Sequence, residues 1–154
     1  MMFYTHLAFS LLVGLMTRSF FSVGHPILFI LLVLFFGAFP DIDSHHSFMG
    51  RKFPIISHIL ELFFGHRGVF HSIYFPLLFF LFFQYFIGFS LSLAIALGYL
   101  SHVVADALTF QGIRPLCPFH SFQLKGFIST GGIAELFLFG ILCIVNIYLL
   151  LPWI

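Results

Sequence analysis

Charge is what this sequence has least of. Only 7% of its 154 residues are Asp, Glu, Lys or Arg, while 61% are hydrophobic. Soluble domains carry about 25% charged residues. With a mean hydropathy of +1.14, the composition excludes a soluble globule and indicates an integral membrane protein. Net charge is +1 and the pI is near 7.9, so no global field recruits nucleic acid. Cysteine is nearly absent too. Cys117 lies in a polar loop and Cys143 inside an apolar run, with no CxxC spacing. A disulfide is not expected, and both read as ordinary small residues. The opening "MMFYTHLAFSLLVGLMTRSFF" lacks a basic leader and an A-x-A cleavage site, and reads as a retained helix. What is abundant is phenylalanine, with 26 residues, read as lipid-facing bulk.

The length fits one domain, residues 1–154. A helix needs about 20 apolar residues to cross a hydrocarbon core. The clearest span is the last, from about Gly132 to Ile154, with Trp153 as an interfacial anchor. The run from Ser72 to Leu108 is too long for one crossing and is expected to break near Gly88, in "FIGFS". The first two runs, about 3–17 and 26–39, are short for full spans. Between the second and third runs, "FPIISHILELFF" places Ser57, His58 and Glu61 on one helical face, the pattern of an interfacial amphipathic helix. The expected fold is therefore all-α: a polytopic membrane bundle of about five helices with a short interfacial helix.

The few ionisable residues are not scattered along this path. His6 opens the first helix, and Asp41 and Asp43 follow the end of the second, where Pro40 stops it. His66 and His71, in "GHRGVFHS", open the third; His102 and Asp106, in "LSHVVADAL", lie near the end of the fourth; Glu135, in "STGGIAE", begins the fifth. In an up-and-down bundle, alternating starts and ends bring all of these to one side of the membrane. Arg51, Lys52, Arg67, Arg114 and Lys125 share that side, against Arg18 on the other. The positive-inside rule then predicts a cytoplasmic site with the N-terminus inside.

His102 and Asp106, four apart, present an imidazole and a carboxylate on one helical face. Ala94, Gly98 and Ala105 on the same helix, and Ser10 and Gly14 beyond His6, let neighbouring helices approach closely. The collected ligand set is His6, Asp41, Asp43, His66, His71, His102, Asp106 and Glu135. Imidazole mixed with carboxylate suits zinc, manganese or iron, and this set exceeds one tetrahedral shell, so two or more ions are expected. Buried charge in a membrane is costly unless paired or metal-bound. A cation cluster supplies an activated water and clamps an anionic phosphorus centre. Arg67 is placed for a phosphate or an oxyanion, with Ser72 and Thr130 as further candidate substrate contacts. Asp41, Asp43 and Arg67 are the candidate catalytic residues. Gly68 and the "TGG" at 130–132 allow close backbone approach.

Taken singly, the motifs have simpler explanations. Asp41 and Asp43 form good turn chemistry after Pro40, and His102–Asp106 suits a hydrogen-bonded pair. His25, His45, His46, His58 and His120 read as solvated or interfacial. Arg114 and Lys125 read as headgroup anchors. A transporter or ion-handling protein would use the same residue types, but it needs them spread through the membrane depth. A di-iron oxygenase needs dense histidine boxes that the chain lacks, and a purely structural protein leaves the one-sided cluster unexplained.

"THLAFS", "PDIDS", "GHRGVFHS", "GYLSHVVADALTFQGIRPLCPF" and "STGGIAE" together resemble the YdjM-type inner-membrane metal-dependent hydrolases. The likeness runs from residue 5 to about 135, in order. That family is described as distantly similar to zinc-dependent phospholipase C and related single-strand nucleases. The resemblance implies that His66, His71, His102, Asp106 and Glu135 are zinc ligands, joined by His6. It implies that one of Asp41 and Asp43 is a ligand or the base that positions the attacking water. The substrate implied is a phosphoester, either a phospholipid or a lipid-linked phosphate, with membrane lipids as the surroundings.

Overall fold

The computed structural model describes residues 1–21, 23–64 and 67–153. It is all-α, with six helices among the described residues and no strand beyond two isolated bridges. The helices are α1 (Phe3–Phe20), α2 (Pro26–Ala38), α3 (Phe48–Lys52), α4 (Pro54–Phe64), α5 (Tyr74–Ala107) and α6 (Ile133–Leu150). Among the described residues, three stretches are long and apolar enough to cross a membrane: Pro26–Asp43, Tyr74–Ala107 and Ile133–Leu150. The side chain of Trp153 lies outside the described set.

Pro26 opens α2 in its first turn, where its missing N–H costs nothing. Pro40 acts differently from a simple stop. It sits at the start of a tighter 3-10 turn, Phe39–Asp43, that prolongs α2 and carries both aspartates. In α5, Gly88 takes φ 78 and ψ 172, a conformation open in practice only to glycine. The chain reverses there. Phe75 and Phe79 of the first arm stand 6.1 and 5.6 Å from the ring of Tyr99 in the second. The expected break near Gly88 therefore makes an antiparallel hairpin of two arms.

Close packing is centred on α2 and the second arm of α5. A Cβ on Gly98 would run into the Val33 carbonyl, and one on Gly37 into the Ser10 hydroxyl. The small residues read from the sequence thus mark where backbones meet, as helix association in lipid requires. Ser10 Oγ and Ser101 Oγ, 2.7 Å apart, join α1 to α5. Asn146 Nδ2 on α6 donates to the Ala8 carbonyl of α1 at 2.8 Å. Helix α4 exposes Ile55, Ile59, Leu62 and Phe63 while burying Ser57 on its other side, as an interfacial helix should. The segment between α5 and α6 folds back on itself: Ile113 and Leu124 exchange backbone hydrogen bonds of 2.9 Å, and Phe110 N–H donates to Ile128 O at 3.0 Å.

Candidate metal centre

The side chains of the site come from four separate elements. His102 and Asp106 occupy successive turns near the end of α5, both buried. His6, one turn into α1, lays its ring on that of His102, with centroids 3.8 Å apart and planes within 9°. The 3-10 turn after α2 delivers Asp41 and Asp43. His71 closes a second 3-10 turn, Val69–His71, which the Tyr99 hydroxyl pins by donating to Phe70 O at 2.7 Å.

The contacts interlock. His71 Nδ1 stands 3.1 Å from Asp43 Oδ2, and its Nε2 stands 3.5 Å from Asp106 Oδ2. His102 Nε2 is 3.5 Å from Asp41 Oδ1 and 3.8 Å from Asp106 Oδ2. His6 Nε2 is 3.3 Å from Asp106 Oδ1. Arg67 donates through its guanidinium to Asp106 Oδ1 at 2.7 Å and Thr109 Oγ1 at 3.1 Å, and through its backbone N–H to Asp43 Oδ2 at 3.2 Å. Its φ of 60 is unusual for a non-glycine residue. The three anchoring contacts explain why that conformation persists.

Proton positions follow from these partners. A carbonyl oxygen only accepts, so His102 Nδ1, 2.8 Å from Gly37 O, carries the proton. Asp43 likewise draws the His71 proton to Nδ1. In their neutral forms the two Nε2 atoms then face each other at 3.2 Å, lone pair toward lone pair. Either a bound cation or a second proton on His71, donated from its Nε2 to that of His102, relieves the clash. Among the described residues, Asp106 Oδ2 and His6 Nδ1 are buried without a hydrogen-bond partner, which is costly unless something else coordinates them. Burial works against protonation of His71, yet the Asp43 hydrogen bond and the charges of Asp43, Asp106 and Asp41 outweigh it, setting its pKa above the ordinary imidazole value. Among the described residues, two groups bring ligand atoms within 4.8 Å of one another and could hold a metal ion: His6–Asp41–His102 and His71–His102–Asp106.

The remaining expected residues divide. Asp43 stays outside both groups and holds His71 and Arg67 from behind. Glu135 is buried, but its oxygens accept from Met2 N–H at 2.6 Å and Gly131 N–H at 2.7 Å, so it fastens the start of α6 to the start of α1. Ser72 is buried beside His71, and its hydroxyl has no hydrogen-bond partner. Thr130, with Asp41 and Arg67, lines a cleft of about 460 Å³ that opens over the centre. His66 lies outside the described residues. Two contributors lie outside the expected ligand set. The amino nitrogen of Met1 stands 2.6 Å from Asp106 Oδ1. Thr109, three residues beyond Asp106, caps its carbonyl at 2.7 Å, a common threonine habit.

The chain belongs to the YdjM inner membrane protein family, whose model it matches over residues 1–153. It is 38% identical over 98 residues to the uncharacterized protein YvsG of Bacillus subtilis (strain 168), an alignment covering 62% of this chain and 61% of that protein. It is 40% identical over 85 residues to inner membrane protein YdjM of Escherichia coli (strain K12) and of Shigella flexneri, covering 51% of this chain and 43% of each relative. The aligned part thus spans less than two thirds of the length of these relatives. No solved structure matches. Family membership and the three apolar stretches support an inner-membrane location.

Proposed function

We propose that this member of the YdjM family is a membrane-bound, metal-dependent hydrolase of a phosphoester, with His6, Asp41, His71, His102 and Asp106 holding the metal. The observation that carries the reading is the facing Nε2 pair of His71 and His102 at 3.2 Å, flanked by Asp41 and Asp106 and buried beneath a cleft. Imidazole and carboxylate without thiolate suit zinc or manganese. A divalent cation held there supplies Lewis acidity and acidifies a water.

The rest of the chemistry falls to side chains. Hydrolysis joins a water oxygen to phosphorus, breaks the ester P–O bond and releases the alcohol with a proton. Asp41 is the cluster carboxylate that reaches the cleft, its side chain 14% exposed against 0% for Asp106. It is placed to take the proton of the attacking water. Arg67, fixed by Asp106 and Thr109, faces the charge on the phosphoryl oxygens. Asp43 positions His71 through Nδ1. His102 has one free lone pair, so the two candidate ligand groups cannot both use it. Were a second ion bound, Asp106, which reaches both His6 and His71, would be the carboxylate available to it. Arg51, Lys52, Arg67, Arg114 and Lys125 flank this end and Arg18 the other, which favours a cytoplasmic site. Transport is the weaker reading. The buried ionisable residues described, His6, Asp43, His71, His102, Asp106 and Glu135, gather at one end and form no path across.

Elemental analysis of purified protein tests the proposal. Zinc or manganese should be bound by the wild type and lost in His102→Ala, and only the wild type should release phosphate from a lipid phosphoester. Folded wild-type protein that stays metal-free after reconstitution with either ion would end this reading.

A further inference from the structure

Behind the two aspartates the chain continues "SHHSFMGRK", residues 44–52, and the structure builds this segment onto the cleft. Ser47 Oγ donates to the Asp41 carbonyl at 2.5 Å and accepts from Gly50 N–H at 2.8 Å. Gly50 presses on the Ser44 carbonyl, where a Cβ would collide. Phe48 stacks on Phe3 with ring centroids 4.2 Å apart. The short helix α3 is therefore fastened to the backbone of Asp41 itself, and it presents Arg51 on the cleft wall. Arg67 and Arg51 both line that cleft, but they differ. Arg67 is neutralised by Asp106, whereas the Arg51 side chain is exposed and its guanidinium has no ion-pair or hydrogen-bond partner among the described residues. Asp41, beside the metal cluster, is the one carboxylate among the lining residues, so the rim offers nothing acidic to an ammonium group.

We propose that Arg51 is a specificity residue that selects phosphoesters with a dianionic, phosphomonoester head over zwitterionic phosphodiesters. This rests on the hydrolase reading for its substrate class. A phosphate seated between Asp41 and Arg67 keeps a negative charge toward the rim when it is a monoester, and the Arg51 fork answers it. A phosphocholine or phosphoethanolamine head brings a cation to the same place and is repelled. The apolar wall made by Phe3 and Phe48 suits an attached acyl chain or glycerol backbone. The phosphomonoester chemistry is shared by lipid and soluble sources.

The test uses metal-loaded protein in detergent. Binding by calorimetry and hydrolysis by kcat/KM are measured with short-chain phosphatidic acid, short-chain phosphatidylcholine and glycerol 3-phosphate. Wild type should prefer phosphatidic acid, and Arg51→Gln should lower the phosphatidic acid to phosphatidylcholine ratio about tenfold, as loss of a charge-assisted hydrogen bond does. Arg51→Lys should recover part of it. Arg114→Gln, an equal charge change on the same end but outside the cleft, should leave the ratio as it is. Glycerol 3-phosphate binding as tightly as phosphatidic acid marks a soluble source, and weaker binding a lipid one; either supports the monoester assignment. Preference for phosphatidylcholine, or a ratio unmoved in Arg51→Gln, overturns it. Selective binding without turnover would leave this assignment standing while removing the hydrolase reading.

Discussion

The arm of α5 before Gly88 and the arm after it differ in side-chain size more than in apolar character. Among the buried residues of α5, the first arm contributes only Pro76, while the second contributes Ala94, Gly98, Tyr99, Ser101, His102, Ala105 and Asp106 among others. The first is built from phenylalanine and leucine. Its Phe75, Phe79 and Phe83 row packs inward, against the cluster of Phe36 and Tyr99. Leu78, Leu81, Phe82, Tyr85 and Phe86 are exposed. In lipid, apolar surface gains nothing by turning inward, so helix contact is decided by close fit. Small residues mark where the protein touches itself, and bulky ones mark where it touches the membrane. The candidate centre lies within the small-residue arm because a buried carboxylate needs partners on every side.

Asp106→Asn breaks this comparison at its most demanding point. The substitution keeps the shape and removes the charge that faces Met1 N, Arg67, His6 and His71. Leaving Arg67 unanswered should cost about 3–5 kcal/mol of stability. Metal affinity should fall by at least about 100-fold. Unfolding in detergent and metal titration read the two effects separately. Retained metal with wild-type stability would mean that Asp106 is neither ligand nor keystone.

Much of this end of the molecule was legible. Helix ends alternate in an up-and-down path, so His6, Asp41, Asp43, His71, His102 and Asp106 had to meet, and the spacing of Ala94, Gly98 and Ala105 located the seam. The division of tasks was not legible. Asp41 and Asp43 are two residues apart, and only the 3-10 turn after Pro40 decides which carboxylate reaches the cleft. Glu135 looked like a ligand because of its position at a helix start. Its oxygens also accept from the backbone of Gly131 and of Met2. His45 was read as solvated or interfacial, and it is exposed, but its Nδ1 also pairs with Glu61 Oε2 at 2.5 Å. Each of these depends on where one side chain meets a distant backbone, which periodicity does not record.

Gly98→Leu tests the seam without touching a candidate ligand. The new side chain would meet the Val33 backbone, and overpacking of this kind costs about 1–3 kcal/mol. Because His102 lies one turn further along, the forced separation of α2 from α5 should also lengthen the His102–Gly37 contact and weaken metal binding. Unchanged stability, measured by unfolding in detergent, would show that the two helices do not pack as closely as described.

Phe86→Leu applies a comparable change to the other arm and should do almost nothing. Phe86 is 65% exposed, and its ring neighbours Phe82 and Tyr85 are exposed as well. Exchanging one apolar side chain for another against lipid should alter stability by no more than about 0.5 kcal/mol, with metal content unchanged. The measurement is the same unfolding experiment, made in detergent and again in lipid nanodiscs. A loss above about 1 kcal/mol confined to nanodiscs would show that this face packs against another protein surface in the bilayer. In that case bulk on a membrane helix would not distinguish lipid contact from protein contact, and the contrast between the arms would reflect two interfaces of different kinds.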